Sequence, residues 1–255
     1  MNNEDIIDSY EEYLEEQKKQ TRQYILMAAA GLFSFFLIWQ LVVQFNLIPT
    51  KNIAAPTDVM KTLLYKFSHK DPDGNTLPAN ILASLQVSLT GYALAVGIGV
   101  PLGLLMGWYE GFERFIRPVF ELIRPIPPVA WIPLIILWIG IGLKAKIFII
   151  FFSSFIPCVI NSYTGIKLTN KTFINVSKTF GASKGTTFFK VGVPSAMPMV
   201  LTGMRIALGS SWSTLVAAEM LAANAGLGYM ILQGRAFARP DIIMTGMIVI
   251  GVLGA

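Results

Sequence analysis

Side chains able to make or break covalent bonds are scarce in this chain. Its single histidine, His69, lies in a polar stretch, and its single cysteine, Cys158, lies inside an apolar run. No thiol–imidazole pair, His/Cys metal cluster or intrachain disulfide can be built from them. Glu121 and Glu219 are the only acids near the apolar runs that could serve ion coupling, and both fall near run ends. The stretch Gly181-Ala182-Ser183-Lys184-Gly185-Thr186-Thr187 resembles a phosphate loop in content. It fails the spacing of two glycines, a lysine and a hydroxyl that cradles nucleotide phosphates. What stands out instead is Arg205. It lies 11 residues after Pro194, about 16 Å along a helix at ~1.5 Å per residue, inside an apolar run where an unpaired arginine costs several kcal/mol. Two readings follow: Arg205 faces a watery interior that favours anions, or it bonds carbonyls or Glu121 on another helix.

The elements that must position these residues are membrane helices. Of 255 residues, 54% are hydrophobic and 14% charged, and several uncharged runs are long enough to cross a bilayer. A net charge of +5 is explained by lysines between those runs, at lipid headgroups, and nucleic acid is not implied. The N-terminal segment, residues 1–23, is read as an acidic amphipathic cytoplasmic helix. Ile6, Ile7, Tyr10, Tyr13 and Leu14 recur at helical spacing among Glu4, Asp5, Asp8, Glu11, Glu12, Glu15 and Glu16. That acidity is wrong for a secretory signal, so the first apolar run should be retained. Residues 24–255 form the membrane domain, with spans expected over 23–50, 81–109, a proline-dense segment ending near Leu143, 147–166 and 194–220. The last run, 242–255, has only 14 residues where roughly 20 are needed, so the final helix is expected to be completed beyond Ala255. The fold class is all-α, with about six transmembrane helices.

Within the second span Gly91, Ala95, Gly99, Gly103 and Gly107 recur every four residues and line one helix face. Such a ridge lets a neighbouring backbone approach closely, and it could also border a path. Pro101 should kink this helix. In the third segment Pro118, Pro125, Pro127, Pro128 and Pro133 exclude a regular helix, because each proline removes a donor and clashes with the preceding turn. Asp71-Pro72-Asp73-Gly74-Asn75 marks a turn before the second span.

Topology follows from lysine and arginine placement. With the N-terminus inside, ten lie inside (18, 19, 22, 114, 117, 167, 171, 178, 184, 190), eight lie outside, and Arg124 and Arg205 fall in spans. The acid-free loop 167–193 and the basic residues before the first span decide the direction. In that loop Phe173, Val176 and Phe180 share a helix face opposite Lys171 and Lys178, and Gly181 offers a turn. Two short helices joined at glycine make a knob for a groove on a soluble partner, or a helix lying on the membrane.

Asn175-Val176-Ser177-Lys178-Thr179-Phe180-Gly181-Ala182-Ser183, followed by Val191-Gly192-Val193-Pro194, resembles the coupling loop of binding-protein-dependent ABC importer permeases. The glycine and proline match that pattern. Asn175 stands for the usual glutamate, Val176 and Ser177 for alanines, and Val193 for leucine. Three further segments narrow the resemblance: Arg124-Pro125-Ile126-Pro127-Pro128-Val129-Ala130-Trp131-Ile132-Pro133, Leu201 to Gly209, and Val216-Ala217-Ala218-Glu219-Met220 with Gly226-Leu227-Gly228-Tyr229. Together they are similar to the nitrate, sulfonate, taurine and bicarbonate branch, from about residue 50 onward.

The resemblance implies a type I importer permease that is not itself an enzyme. It implies a homodimer in a bacterial cytoplasmic (inner) membrane, two cytoplasmic ATPase subunits carrying ATP and Mg, and an extracellular substrate-binding protein. No cofactor is expected on this chain. Phe173, Asn175, Val176, Phe180, Gly181, Ala182 and Pro194 become the candidate ATPase-coupling residues, and Arg205, Ser210, Ser211, Trp212 and Glu219 the candidate translocation path. A small anion such as a sulfonate, taurine, nitrate or bicarbonate is the expected solute. A pyrimidine-type vitamin precursor is the alternative on the same architecture, and a secondary transporter the alternative mechanism.

Overall fold

In lipid every backbone N–H and C=O must be satisfied within its own segment, which leaves the apolar runs of this chain only the helix. The computed structural model describes residues 3–49, 52–222 and 224–254, with side chains from residue 17 onward apart from Ala222. Its helices are α1 (Asn3–Gln44), α2 (Pro56–Lys66), α3 (Leu77–Trp108), α4 (Glu110–Ile123), α5 (Ile132–Ile139), α6 (Leu143–Lys167), α7 (Lys171–Thr179), α8 (Lys184–Thr187), α9 (Val193–Ala222), α10 (Leu227–Ala236) and α11 (Pro240–Gly254). The chain divides into two compact units, 1–62 and 63–255.

In the first unit α1 is one helix of 42 residues. The acidic segment and the first span therefore form a single element, with no break near residue 23. The apolar face expected from Ile6 to Leu14 lies outside the described side chains. From Tyr24 onward α1 exposes large apolar side chains such as Phe33, Phe35 and Ile38, as a helix in contact with lipid does. Trp39 Nε1 donates to the Ala54 carbonyl at 3.1 Å and ties the end of α1 to the strap that follows.

The second unit is organised around α6. Of the three long spans here it is the most buried, 44% of its most apolar window against 33% for α3 and 28% for the span containing α9. Gly91, Ala95, Gly99, Gly103 and Gly107 are all buried on the face of α3, where the four glycines meet α6. A Cβ on Gly107 would stand 2.7 Å from the Ile166 Cβ, and one on Gly103 would run into the Val159 carbonyl oxygen. On the other side of α6, Gly165 sits against Ala196 of α9, and Gly203 of α9 sits against Asn161. Both neighbours thus approach α6 at backbone distance, where van der Waals packing replaces the absent hydrophobic drive. The buried hydroxyls across these seams bond one another: Ser153 to Thr214 at 2.7 Å, and Ser154 to the Ala207 carbonyl at 3.0 Å.

The proline-dense segment is broken. α4 contains Pro118, a single turn of 3₁₀ helix spans Pro128–Trp131, and the axes of the two arms differ by 83°. Among the described residues four helices are long and apolar enough to cross a membrane, and five if the bent pair counts as one crossing; α11, at 15 residues, is shorter. The Asp71–Asn75 turn forms with Gly74 at φ +78°. Lys66, fully buried, donates to Asp73 and to the carbonyls of Asp71 and Asn75, holding that turn against the start of α3.

Inserting a methyl at a filled site strains the packing by about 1–3 kcal/mol. Gly103→Ala should therefore lower the Tm of the detergent-purified protein by several degrees, and Gly103→Leu should abolish its monodisperse yield. Gly97→Ala, six residues earlier on the open face with nothing within 4 Å, should leave both unchanged.

Candidate functional site

Two ends of the bundle carry distinct chemistry. At the first, α3 and α6 finish and α9 begins, and residues 168–192 project as the loop between α6 and α9. Asn170 caps α7 by accepting from the Thr172 N–H at 2.8 Å, and Ser183 caps α8 by accepting from the Thr186 N–H at 3.2 Å. Between the two caps Gly181 takes φ +76°, the left-handed conformation that ends α7 and turns the chain. The Gly181 N–H donates to the Lys178 carbonyl and the Ala182 N–H to the Ser177 carbonyl, closing the helix end. Ser177 and Thr187 hydroxyls, 2.9 Å apart, link α7 to α8.

On this frame Phe173 is 58% exposed, Val176 48% and Phe180 85%, an apolar face left largely open among the described residues. Asn175 is also exposed, and its carbonyl accepts from the Thr179 hydroxyl. Phe188, by contrast, is buried against Trp108 and Tyr109, with ring centroids at 5.5 and 6.1 Å. Pro194 does not stop the chain. A π-helical turn over Phe188–Gly192, closed by the Val193 N–H on the Phe188 carbonyl, carries α8 into α9 without interruption. The wide turn falls where Pro194, which has no N–H to give, enters the helix. Beside the loop Glu113 of α4 accepts from the Tyr163 hydroxyl at 2.6 Å, Lys167 at 2.7 Å and Arg117 at 3.1 Å. The bent segment is thereby latched to the end of α6.

The five polar positions singled out on α9 separate into two groups. Arg205 lies on an exposed face with Thr202, Ile206, Gly209 and Ser213, which share one side of the helix at 3.6 residues per turn. The hydroxyls of Thr202 and Ser213 bond carbonyls one turn back, but Arg205 has no hydrogen-bond or ion-pair partner among the described residues. Glu121 is instead engaged by Arg124 at 3.2 Å. Ser210, half-buried, borders a groove of about 550 Å³ that Arg124, Pro128, Ser153, Ser213 and Thr214 also line. Ser211, Trp212 and Glu219 turn inward. Ser211 pairs with Ser88 at 2.8 Å, and Trp212 Nε1 donates to the Ile250 carbonyl at 3.0 Å, fixing α11.

Glu219, 1% exposed, belongs to the opposite end, where it helps hold the N-terminus of α10. Three successive N–H groups there are taken by side chains of two helices, α3 and α9: Gly226 by Asn80 Oδ1 at 3.0 Å, Leu227 by Ser84 Oγ at 2.9 Å and Gly228 by Glu219 Oε2 at 2.9 Å. The Ser84 hydroxyl donates in turn to the Glu219 carboxylate at 2.8 Å. A carboxylate is favoured at a helix N-terminus because the unpaired N–H groups concentrate positive potential. Lys146, buried at the start of α6, adds an opposite charge at longer range. Asn80 also donates to Asp73 at 2.6 Å, so the network continues to Lys66. Gly226, at φ +123°, leaves the Glu219 carboxylate the space that any side chain would fill. Sequence reasoning missed Asn80 and Ser84. Their signal is the stripe Asn80, Ser84, Ser88, spaced by four on the buried face of a mostly apolar helix.

Removing the carboxylate strands buried donors at about 1–3 kcal/mol. Glu219→Ala should lower the Tm of the purified protein by several degrees, and Arg205→Gln, whose side chain has no bond to the described residues, should not. Equal Tm losses for the two would show that Glu219 is not a structural cap.

Comparison with known proteins agrees with this architecture. Residues 99–255 match the family described as "Binding-protein-dependent transport system inner membrane component". A probable ABC transporter permease protein of Brucella melitensis is 42% identical over 178 residues, 70% of this chain and 72% of that protein. The taurine transport system permease protein TauC of Escherichia coli is 33% identical over 229 residues, 90% of this chain and 83% of that protein. The fold is that of an inward-facing MetNI methionine ABC transporter chain, superposed with a TM-score of 0.58 at 19% identity, over 69% of this chain and 90% of that one. An all-helical bundle with broken and glycine-packed spans, an exposed two-helix loop and these matches place the chain in the family of binding-protein-dependent ABC transporter permeases.

Proposed function

We propose that the chain, as a homodimer in a bacterial cytoplasmic membrane with its N-terminus inside, forms the path for a small anion delivered by an external binding protein. ATP and Mg are held by two cytoplasmic ATPase subunits, and this chain performs no hydrolysis. The observation that carries the reading is the loop 168–192. Three large apolar side chains are exposed on α7 and its C-cap, on a frame with two caps and a left-handed glycine. An amphipathic helix with that exposure is suited to the groove of a partner. Phe173, Val176 and Phe180 anchor it, Gly181 sets the angle between its two arms, and Asn175 and Ala182 flank the contact. The π-helical turn and Pro194 make α8 and α9 one lever, so a push on the knob becomes a movement of a spanning helix.

The path is assigned to the exposed face of α9. An unpaired arginine on a membrane helix needs water, a partner subunit or an anion. Arg205 and Ser210, together with the groove lined by Arg124, provide positive charge and hydroxyls for a small oxyanion. Ser211, Trp212 and Glu219 support that face from behind. The taurine permease relative is consistent with a sulfonate-type solute.

Truncating a buried apolar anchor costs roughly 1–2 kcal/mol or more, about a ten-fold loss of affinity. Phe180→Ala should therefore weaken co-purification of the ATPase about ten-fold without altering membrane insertion. Gly181→Val should be as damaging, because a β-branched residue is disfavoured at φ +76°. Lys144→Ala, exposed at the far end of α6, is the control. Normal docking and normal substrate-stimulated ATP hydrolysis in both loop variants would remove the loop from the coupling role.

A further inference from the structure

The helix that exposes Phe173, Val176 and Phe180 has a second face with different chemistry. Lys171, Ile174 and Lys178 follow one another on the opposite side of α7 at helical spacing, and they border a cavity of about 860 Å³. The end of α3 and the start of α4 form its other wall, with Lys167 and Lys184 completing the rim. Four lysines thus surround one concavity against a single acid, Glu110. That acid lies 3.5 Å from Arg114, and Lys167 is neutralised by Glu113 at 2.7 Å. Lys171, Lys178 and Lys184 have no ion-pair partner among the described residues.

A solvated basic face would spread its charges over a convex surface. Here the four lysines line one hollow together with Trp108 and Tyr109, ring systems that favour the depth of lipid headgroups. Lysines grouped around a concave, low-dielectric wall raise the local concentration of anions, and each contributes about five-fold to the binding of an anionic headgroup. Lysine donates to phosphate as a point charge, without the planar matching of arginine, so the site selects charge and size rather than shape. We infer that this cavity binds a phosphate-bearing anion, either the headgroup of an anionic phospholipid or free inorganic phosphate. Its position beside α7 fastens the loop to the ends of α3 and α4 through the ligand, independently of what docks on the apolar face.

The full-length protein is reconstituted in nanodiscs of phosphatidylcholine with increasing phosphatidylglycerol, and the lipid retained after extraction into detergent is measured by mass spectrometry. Wild type should retain phosphatidylglycerol selectively. Lys171→Gln with Lys178→Gln should lose about twenty-five-fold in apparent affinity, and Lys171→Arg with Lys178→Arg should keep most of it. Lys190→Gln, exposed on the same loop but outside this cavity, should change retention less than two-fold. Circular dichroism of each variant confirms an unchanged fold. Displacement of the lipid by inorganic phosphate shows both anions at the same site. Binding of inorganic phosphate without lipid preference, lost in the double glutamine variant, identifies the soluble anion as the occupant. Absence of binding of either probe to wild type, or equal losses for Lys190→Gln and the double variant, overturns the inference.

Discussion

The contact between α3 and α6 at backbone distance constrains everything else in the second unit. Between Gly91 and Gly107 a row of small residues spaced by four removes side-chain bulk from one face, so α6 can sit within reach of main-chain atoms. Gly165 and Gly203 repeat the device between α6 and α9. Because lipid is as apolar as leucine, such packing is what distinguishes an assembled bundle from separate helices. Clasped on both sides, α6 fixes the rotation of α9, and that rotation decides which polar residues turn inward and which stay open.

Polar groups inside the bundle follow the same economy of satisfaction. Glu219, Ser84 and Asn80 supply acceptors to three consecutive N–H groups at the start of α10, a helix end that would otherwise leave donors unpaired. Ser88 with Ser211, and Ser153 with Thr214, close across helix pairs. Arg205 stands apart from these pairs, a charged side chain well inside a spanning helix with no bond to the described residues. That unpaired charge is why a second copy, water or an anion is proposed at the open face of α9.

Much of this was legible in the sequence because periodicity reports helix faces. The four-residue glycine spacing, the prolines from Pro118 to Pro133 and the phases of Phe173, Val176 and Phe180 each translate into geometry without knowledge of neighbours. Gly181 was legible because a turn between short helices needs a left-handed residue. The orientation of Ser211, Trp212 and Glu219 was not, since a helix's rotation about its own axis is set by the packed partners. The π-helical turn before Pro194 was also hidden, because proline in a sequence signals an interruption, and the chain solved the missing donor by widening one turn. Asn80 and Ser84 were overlooked because serine and asparagine in an apolar run look like tolerated polar residues until the N–H groups they serve come into view. The acidic N-terminal segment was read as a separate element, whereas α1 runs unbroken from Asn3 to Gln44, since nothing in its sequence stops a helix.

The proposed path requires that the face of α9 bearing Arg205 meets water while the neighbouring face meets lipid. Cys158 is buried, so single cysteines introduced elsewhere can be read against a quiet background. The most direct measurement is the rate at which a membrane-impermeant maleimide labels Ser213→Cys and Leu208→Cys in the permease reconstituted with its ATPase. Fast labelling at Ser213, changing in rate when ATP binds, together with an inert Leu208→Cys, is the predicted result. An inert Ser213→Cys beside a reactive Leu208→Cys would place the path on the other side of α9 and contradict the account.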